Sequence, residues 1–454
     1  MSVAATRSTA ARTPPPTGLD VQQAIDRVGF GPFQRRLLLV CGVTWAADAA
    51  ELLALGFALP GIRADFGLSA WQGGFIASAT FFGMLLGATF WGTISDRIGR
   101  RTGFQLTVAI FAVFGLASAF APNAETLWAL RFLCGFGLGG ALPLDFSLMA
   151  EFLPRRDRGR WLVLLESFWA VGTVAIAALA YLIVPDHGWR PLLAASGAAA
   201  LLVLWIRRRV PESPRYLVTA GRAEEAEEVL GAVARANGTE PPGPLAPTPP
   251  APAPAVSALW RGDAARRTLM LWLAWFAIGL AYYGLFVYLP TILVDRGFSF
   301  VQTYGYALIL AGAQIPGYLS AAWLVERWGR KPTLVAYLAA SGVFTVLFGI
   351  VDTTALIVVS AALMSFFSLG GWAALYAYTP ESYPTALRTT GMGWASAMAR
   401  IAAALVTLLG AKVLSGSLEG TLVVFGAAFL AGALVVAALG RETRGSALAD
   451  AAAD

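Results

Sequence analysis

The chain has 454 residues, of which 57% are hydrophobic and only 13% charged. A soluble domain carries about 25% charged residues, so the composition excludes a soluble globular protein and identifies an integral membrane chain. The net charge of +6 comes from Lys and Arg in short loops, where it sets orientation and is no nucleic-acid signal; two cysteines inside apolar runs (Cys41, Cys134) and one histidine (His187) leave no disulfide framework, histidine proton relay or His-rich metal site.

Residues 1–20 are small, polar and Pro-rich, without the apolar core of a signal peptide, and read as disordered. Val21–Arg36 completes a cytoplasmic N-terminal tail (1–36) as a short helix with Arg27, Arg35 and Arg36. The apolar runs that follow are about 20 residues long, enough to span a membrane as helices, and the short alternating strands of a membrane barrel are missing. The first six spans are Leu37–Pro60, Trp71–Ser95, Gly103–Ala121, Glu125–Ala150, Arg160–Val184 and Pro191–Ile206, a bundle over 37–206. A cytoplasmic loop, 207–267, opens with VPESPRYL. It continues with an amphipathic helix that places Ala226, Val229, Leu230 and Val233 at helical spacing, then a semi-rigid Pro/Ala linker, Pro241–Pro254. The second bundle, 268–439, holds Thr268–Val294, Val301–Val325, Thr333–Val351, Ala355–Thr379, Thr389–Leu414 and Leu418–Leu439, and 440–454 is a tail. Positive charge collects at the N-terminus, Arg97–Arg101, Arg155–Arg160, Arg207–Arg209, Arg327–Lys331 and Arg441–Arg444. The positive-inside rule therefore places both termini in the cytoplasm.

The halves repeat. GTISDRIGRR (Gly92–Arg101) recurs as AWLVERWGRK (Ala322–Lys331), matching Asp96 to Glu326, Arg97 to Arg327, Gly99 to Gly329 and Arg100 to Arg330 at an offset of 326 − 96 = 230. Glu151, Pro154 and Arg158 match Glu381, Pro384 and Arg388 at the same offset. Tandem halves of this kind belong to transporter architectures. Gly83 with Gly87, and Gly135 with Gly139, are small-xxx-small pairs that let helices approach closely.

Ionisable residues inside spans are expensive and point to function. Asp48 lies mid-way along the first span, Arg131 and Asp145 on the fourth, Glu166 near the cytoplasmic end of the fifth and Arg400 mid-way along the eleventh. Arg131 and Asp145 are 14 positions apart, about four turns, and share roughly one face. An Asp whose cationic partner comes and goes can load and release a proton, which makes Asp48 with Arg131 a candidate coupling pair; a static ion pair that fixes packing is the alternative. Arg400 stays charged and suits bidentate capture of an anion, or else serves as a fixed partner of an aspartate. Asp145 can neutralise Arg131 or Arg160, or meet a cationic group. Glu166 reads as a gate salt bridge. Tyr282, Tyr283, Trp372 and Tyr376 are candidates for a stacking box around a planar ring, or for packing.

GTISDRIGRR and its echo resemble the signature loop of the major facilitator superfamily, and PESPRYL with the two ExxPxxxR segments resembles its sugar-porter branch. WAADAAELLALGFALPGI, GGALPLDFSLMAEFLP and ESYPTALRTTGMGWASAMAR are most similar to the niacin-transporter and synaptic vesicle glycoprotein 2-like groups. The resemblance implies an all-α integral membrane fold of twelve transmembrane helices in two pseudo-symmetric six-helix bundles, working by rocker-switch alternating access. It also implies a cytoplasmic charge network of Asp96, Arg97, Arg101, Glu151, Arg158, Glu326, Arg327, Arg330, Glu381 and Arg388 that latches the outward-open state, joined at the gate by Glu166. Proton-coupled sugar porters carry an Asp in span one and an Arg in span four, matching Asp48 and Arg131; organic-anion relatives carry an Arg in span eleven, matching Arg400. Gln302 and Gln314 are the few amides where a sugar site would need them. The expectation is a monomeric, multi-pass plasma-membrane symporter moving a small organic anion such as nicotinate with a proton, without a cofactor, metal or nucleic-acid partner. A sugar or polyol symporter and a drug or organic-cation exporter are the alternatives. No phosphate loop or HExxH motif supports an enzyme.

Overall fold

A computed structural model describes residues 18–156, 158–207, 210–246, 256–295, 297–383, 387–414 and 418–444. The first half comprises α1 (Val21–Val28), α2 (Pro32–Phe66), α3 (Ala70–Ile98), α4 (Arg100–Ser118), α5 (Ala124–Ala150), α6 (Arg158–Glu166), α7 (Phe168–His187) and α8 (Trp189–Arg207). Two short helices follow, α9 (Pro214–Thr219) and α10 (Ala223–Asn237), then a 3₁₀ turn at Val256–Trp260. The second half comprises α11 (Gly262–Asp295), α12 (Phe300–Arg327), α13 (Arg330–Ile350), α14 (Thr354–Ser382), α15 (Arg388–Leu414) and α16 (Leu418–Leu439). Among the described residues 11 stretches are long and apolar enough to cross a membrane, and α8 fills the sixth place between them. Side chains such as Leu86, Phe120, Leu182, Leu319 and Leu434 are exposed around the outside; an apolar belt of this extent suits lipid, not water.

The repeat seen in the sequence governs packing. The pairs α3 with α5 and α4 with α8 recur as α12 with α14 and α13 with α16. The two halves meet through α2 with α11, α3 with α15 and α7 with α12, three junctions consistent with one pseudo-two-fold axis. The small-residue pairs do what their spacing implies. A Cβ built on Gly135 or Gly139 would lie 2.0 or 2.1 Å from the Thr80 or Met84 carbonyl oxygen. One built on Gly83 or Gly87 would lie 2.1 Å from the Phe132 or Phe136 carbonyl oxygen. The helices α3 and α5 therefore touch backbone to backbone.

The tight turns of the signature loops fall at Gly99 (φ +97°) and Gly329 (φ +111°), a region that L side chains rarely adopt. The opposite loops start helices with matching capping boxes, Ser69 with Gln72 and Ser299 with Gln302. Gln302 is thus a cap, not an amide offered to a ligand. At the end bearing the termini, α1 packs on α9 and α10 around Ile25, Leu217, Ala226 and Leu230. Leu19 pairs with Leu245 through a parallel bridge, so the start of the inter-half linker is fastened to the first half.

Candidate functional site

Between the halves, at mid-height, lies a cavity of about 40 Å³, room for about three waters. Its wall takes Asp48 and Trp45 from α2, Glu166 from α6, Trp169 from α7, Trp275, Tyr282 and Tyr283 from α11, Trp372 and Tyr376 from α14, and Arg400 from α15. The expected aromatic box is therefore assembled, with indoles added from the first half. Trp275 meets Trp372 edge-on at 5.4 Å and Tyr376 at 5.0 Å between ring centroids, the T-shaped geometry aromatic quadrupoles favour.

Two indoles are tied into the scaffold. Trp169 Nε1 donates to the Tyr282 hydroxyl at 3.1 Å and Trp275 Nε1 donates to Thr379 Oγ1 at 2.9 Å. The other two differ: Trp45 Nε1 and Trp372 Nε1 are buried with no acceptor in the protein, and so is Nε of Arg400. Arg400 Nη1 donates to Ser396 Oγ at 3.0 Å, and Asp48, Tyr283 and Tyr376 lie near enough to act on its charge. Three N–H donors on the cavity wall thus await an acceptor, and buried donors left unmade are costly.

Arg131 is placed differently from expectation. Its Nη1 lies 2.6 Å from Oε1 of Glu51, both side chains wholly buried. Its Nη2 donates to the Glu51 carbonyl oxygen at 3.2 Å and its Nε reaches Thr80 Oγ1 at 3.4 Å. Arg131 thus pairs with Glu51, one helical turn beyond Asp48, while Asp48 lines the cavity in the field of Arg400. Glu51 escaped the sequence reading although an i, i+3 acid beside Asp48 was visible in WAADAAELL. Asp145 is buried but stands outside the cavity lining. Its neighbour Phe146 reaches Trp45 and Tyr376.

Glu166, expected in a gate salt bridge, instead lines the cavity, and its Oε2 has no hydrogen-bond partner. The fifth span continues past it: α6 ends at Glu166 and α7 starts at Phe168, and Ser167 between them keeps right-handed helical angles (φ −61°, ψ −20°).

The expected charge network sits at the terminus-bearing end. Arg330 grips Glu381 through Nε at 3.0 Å and Nη2 at 3.1 Å, and reaches Glu326 at 2.9 Å. The echo in the first half is weaker and uses Arg100, Nε 3.7 Å from Glu151 Oε1. Burial pushes the Glu151 carboxyl up, with Arg100 pulling the other way. Arg101 contributes its backbone, donating to Glu212 Oε1 at 3.0 Å. Arg158 donates to Gln22 Oε1 and to the Leu153 carbonyl oxygen, and Arg388 Nε donates to the Pro380 carbonyl oxygen at 2.8 Å. Arg327 lies over the Trp323 ring at 4.3 Å, and the carbonyl oxygen of Arg97 accepts from the Tyr216 hydroxyl at 3.0 Å. The Asp96 side chain and Pro384 lie outside the described residues. Among the described residues these ion pairs each stay within one half.

Two members of this network were missed. Glu442 accepts backbone N–H groups of Arg330 and Lys331 at 2.9 and 3.0 Å, as Glu212 accepts that of Arg101. The spacing 442 − 212 = 230 would have revealed the echo. Thr443 Oγ1 donates to Glu381 Oε2 at 2.8 Å. Both carboxylates sit where a helix N-terminus favours negative charge.

Twelve membrane helices in two repeated halves, closing on a small central cavity that holds buried charge, define a secondary transporter of the major facilitator type. The chain belongs to the "Sugar (and other) transporter" family, whose model matches residues 44–454, and it is a transporter, not an enzyme. It is 42% identical over 434 residues to the "Niacin transporter NiaP" of Acinetobacter baylyi, covering 95% of this chain and 99% of that relative. It is 35% identical to the "Synaptic vesicle 2-related protein" of Rattus norvegicus, covering 94% and 82%. In fold it is similar to the Escherichia coli xylose transporter XylE in a partially occluded inward open conformation, with a TM-score of 0.75, 18% identity and coverage of 92% and 100%.

Proposed function

We propose that this protein moves a small aromatic carboxylate of the nicotinate type across the plasma membrane, as a monomer with both termini in the cytoplasm, in symport with a proton. The observation that carries the reading is the guanidinium of Arg400, buried in an aromatic-walled cavity with its Nε and two indole N–H groups unmatched. A carboxylate would satisfy Arg400, and once the cavity widens Trp45, Tyr283 and Trp372 on its wall would offer their faces to a flat ring. The name of the A. baylyi relative supports the same substrate class. Coupling runs through a carboxyl of the cavity wall, Asp48 being the one the sequence singles out, with Arg131 fixing α2 behind it through Glu51. The end away from the termini is sealed. There the Tyr304 hydroxyl donates to the Phe57 carbonyl oxygen at 2.9 Å across the halves. A Cβ on Gly56 would also meet the Val287 carbonyl oxygen at 2.9 Å. The state is therefore closed to the outside, with a cavity smaller than the cargo.

The test is uptake of radiolabelled nicotinate into proteoliposomes with and without an inward proton gradient. Accumulation should follow the gradient. Arg400→Ala removes charge-assisted hydrogen bonds worth about 1.5–3 kcal/mol, so nicotinate affinity should fall about 10- to 150-fold. Uptake indifferent to the gradient sinks the coupling. A second reading, an organic cation, draws on the two carboxyls, Asp48 and Glu166, that share the cavity with one guanidinium. Competition by cations and not by carboxylates would favour it.

A further inference from the structure

We infer that Glu166, rather than Asp48, is the side chain that carries the coupled proton, an inference that rests on the proton-coupled reading above. The two acids share the cavity but not its electrostatics. Asp48, buried like Glu166, lies in the field of the Arg400 guanidinium. Glu166 is 5% exposed, has an orphaned Oε2 and takes part in no ion pair among the described residues. An isolated buried carboxylate is among the most expensive groups a protein can hold, and it takes up a proton instead.

Its surroundings agree. The helices packed on α6 are α2, α5, α7 and α14. From them, and from α11 and α12 beyond, Tyr282, Tyr283, Tyr318 and Tyr376 lie near enough to Glu166 to feel its charge. Asp48 on α2 and Arg400 on α15 line the same cavity, Asp145 on α5 stands outside its lining, and α7 adds the neutral Trp169. The shell is largely phenolic and indolic, and among the described residues Arg400, the cation lining the same cavity, forms no ion pair with Glu166. Glu166 also sits at the terminus-bearing end of the cavity, on the side opposite the Phe57–Tyr304 seal.

The linkage follows from charge. A carboxylate substrate on Arg400 is repelled by ionised Glu166 and tolerated by its acid form. Substrate and proton then favour each other reciprocally. Once the cavity opens to the terminus-bearing side, water stabilises the carboxylate, the Glu166 O–H bond breaks, the proton passes to water and the anion is expelled.

The experiment is an infrared pH titration of the full chain in lipid, without substrate, followed by nicotinate binding with measurement of proton uptake. Wild type should show a protonated-carboxyl band that is lost in Glu166→Gln, shifted in Glu166→Asp and retained in Asp48→Asn. Thermal melts of each variant confirm that it is folded. At pH values where Glu166 has ionised, binding to wild type should take up about one proton, with affinity falling up to about tenfold per pH unit; at lower pH the uptake should vanish. In Glu166→Gln both effects should vanish. A band retained in Glu166→Gln, or one lost in Asp48→Asn, overturns the inference. A band that belongs to Glu166 in a protein that ignores nicotinate upholds the proton site and refutes the substrate reading instead.

Discussion

Removing the Glu51 side chain should be among the most damaging single changes in this protein, although it touches no cargo. Arg131 and Glu51 are wholly buried and 2.6 Å apart. Arginine cannot shed its proton at any working pH, so Glu51→Ala leaves a full charge in an apolar interior. Breaking one partner of such a pair costs about 3–5 kcal/mol. The Nη2 bond to the Glu51 carbonyl oxygen survives the substitution, which places the loss near the lower end, about 3 kcal/mol, or two orders of magnitude in the folded fraction. Arg131→Met strands the carboxylate, which can neutralise by taking a proton, so its cost should be smaller. The double variant Glu51→Met/Arg131→Met replaces ions by apolar groups of similar volume and should recover most of the loss, because the desolvation penalty disappears with the charges. Thermal melting of wild type, Glu51→Met, Arg131→Met and the double variant in detergent completes the cycle, with Glu51→Ala melted beside them. The argument is refuted if the double variant loses the sum of the single losses, or if Glu51→Ala melts within error of wild type.

Other outcomes follow from the same geometry. Gly135→Ala and Gly139→Ala each force a methyl into a carbonyl oxygen about 2 Å away and should cost about 1–3 kcal/mol as overpacking, whereas Gly312→Ala, with nothing within 4 Å, should be neutral in the same melts. Trp372→Phe removes an unmatched indole donor while keeping the ring. It should weaken carboxylate binding about tenfold, one hydrogen bond's worth, measured by competition. Glu442 is acid-sensitive in a defined direction. Partial burial raises its carboxyl, but the N–H groups of Arg444, Arg330, Lys331 and Thr443 outweigh burial and hold it below its ordinary value of 4.5. Its contribution is therefore full above the ordinary carboxylate range and is lost as pH falls through the lower folded value. The melting temperature should drop on acidification by less in Glu442→Ala than in wild type.

Much of this was legible because membrane folds write their constraints in composition. Span lengths, the repeat, the close-packing glycines and the costly intramembrane charges all follow from the bilayer acting as solvent. What the sequence withheld depends on rotation about helix axes. Asp48 and Glu51 are one turn apart on α2, and which of them meets Arg131 is decided by how α2 rolls against α5. Glu166 looked like a gate residue because it lies near the cytoplasmic end of the fifth span; only the packing of the two halves shows that it lines the cavity. Glu442 sits among few matching residues, so its kinship with Glu212 emerges only when the 230-residue offset is applied beyond the obvious motifs.

That offset also separates scaffold from cargo site. Carried across it, the network residues find their like: Gly99 and Gly329, Arg100 and Arg330, Glu151 and Glu381, Glu212 and Glu442. The intramembrane charges do not. Asp48 maps to Ile278, Glu51 to Ala281, Arg131 to Ala361, Glu166 to Ser396, and Arg400 to Ala170. A duplicated scaffold repeats the contacts that hold each half's own loops, and the ion pairs Arg100–Glu151 and Arg330–Glu381 each stay within one half. A small cargo has no such symmetry, and the charged residues of the cavity wall, Asp48, Glu166 and Arg400, appear once. The Ser396 that replaces Glu166 in the second half is the residue that holds Arg400. One copy of the duplicated position thus carries a carboxyl and the other a hydroxyl that holds the Arg400 guanidinium, an arrangement that suits the proposed joint binding of an anion and a proton.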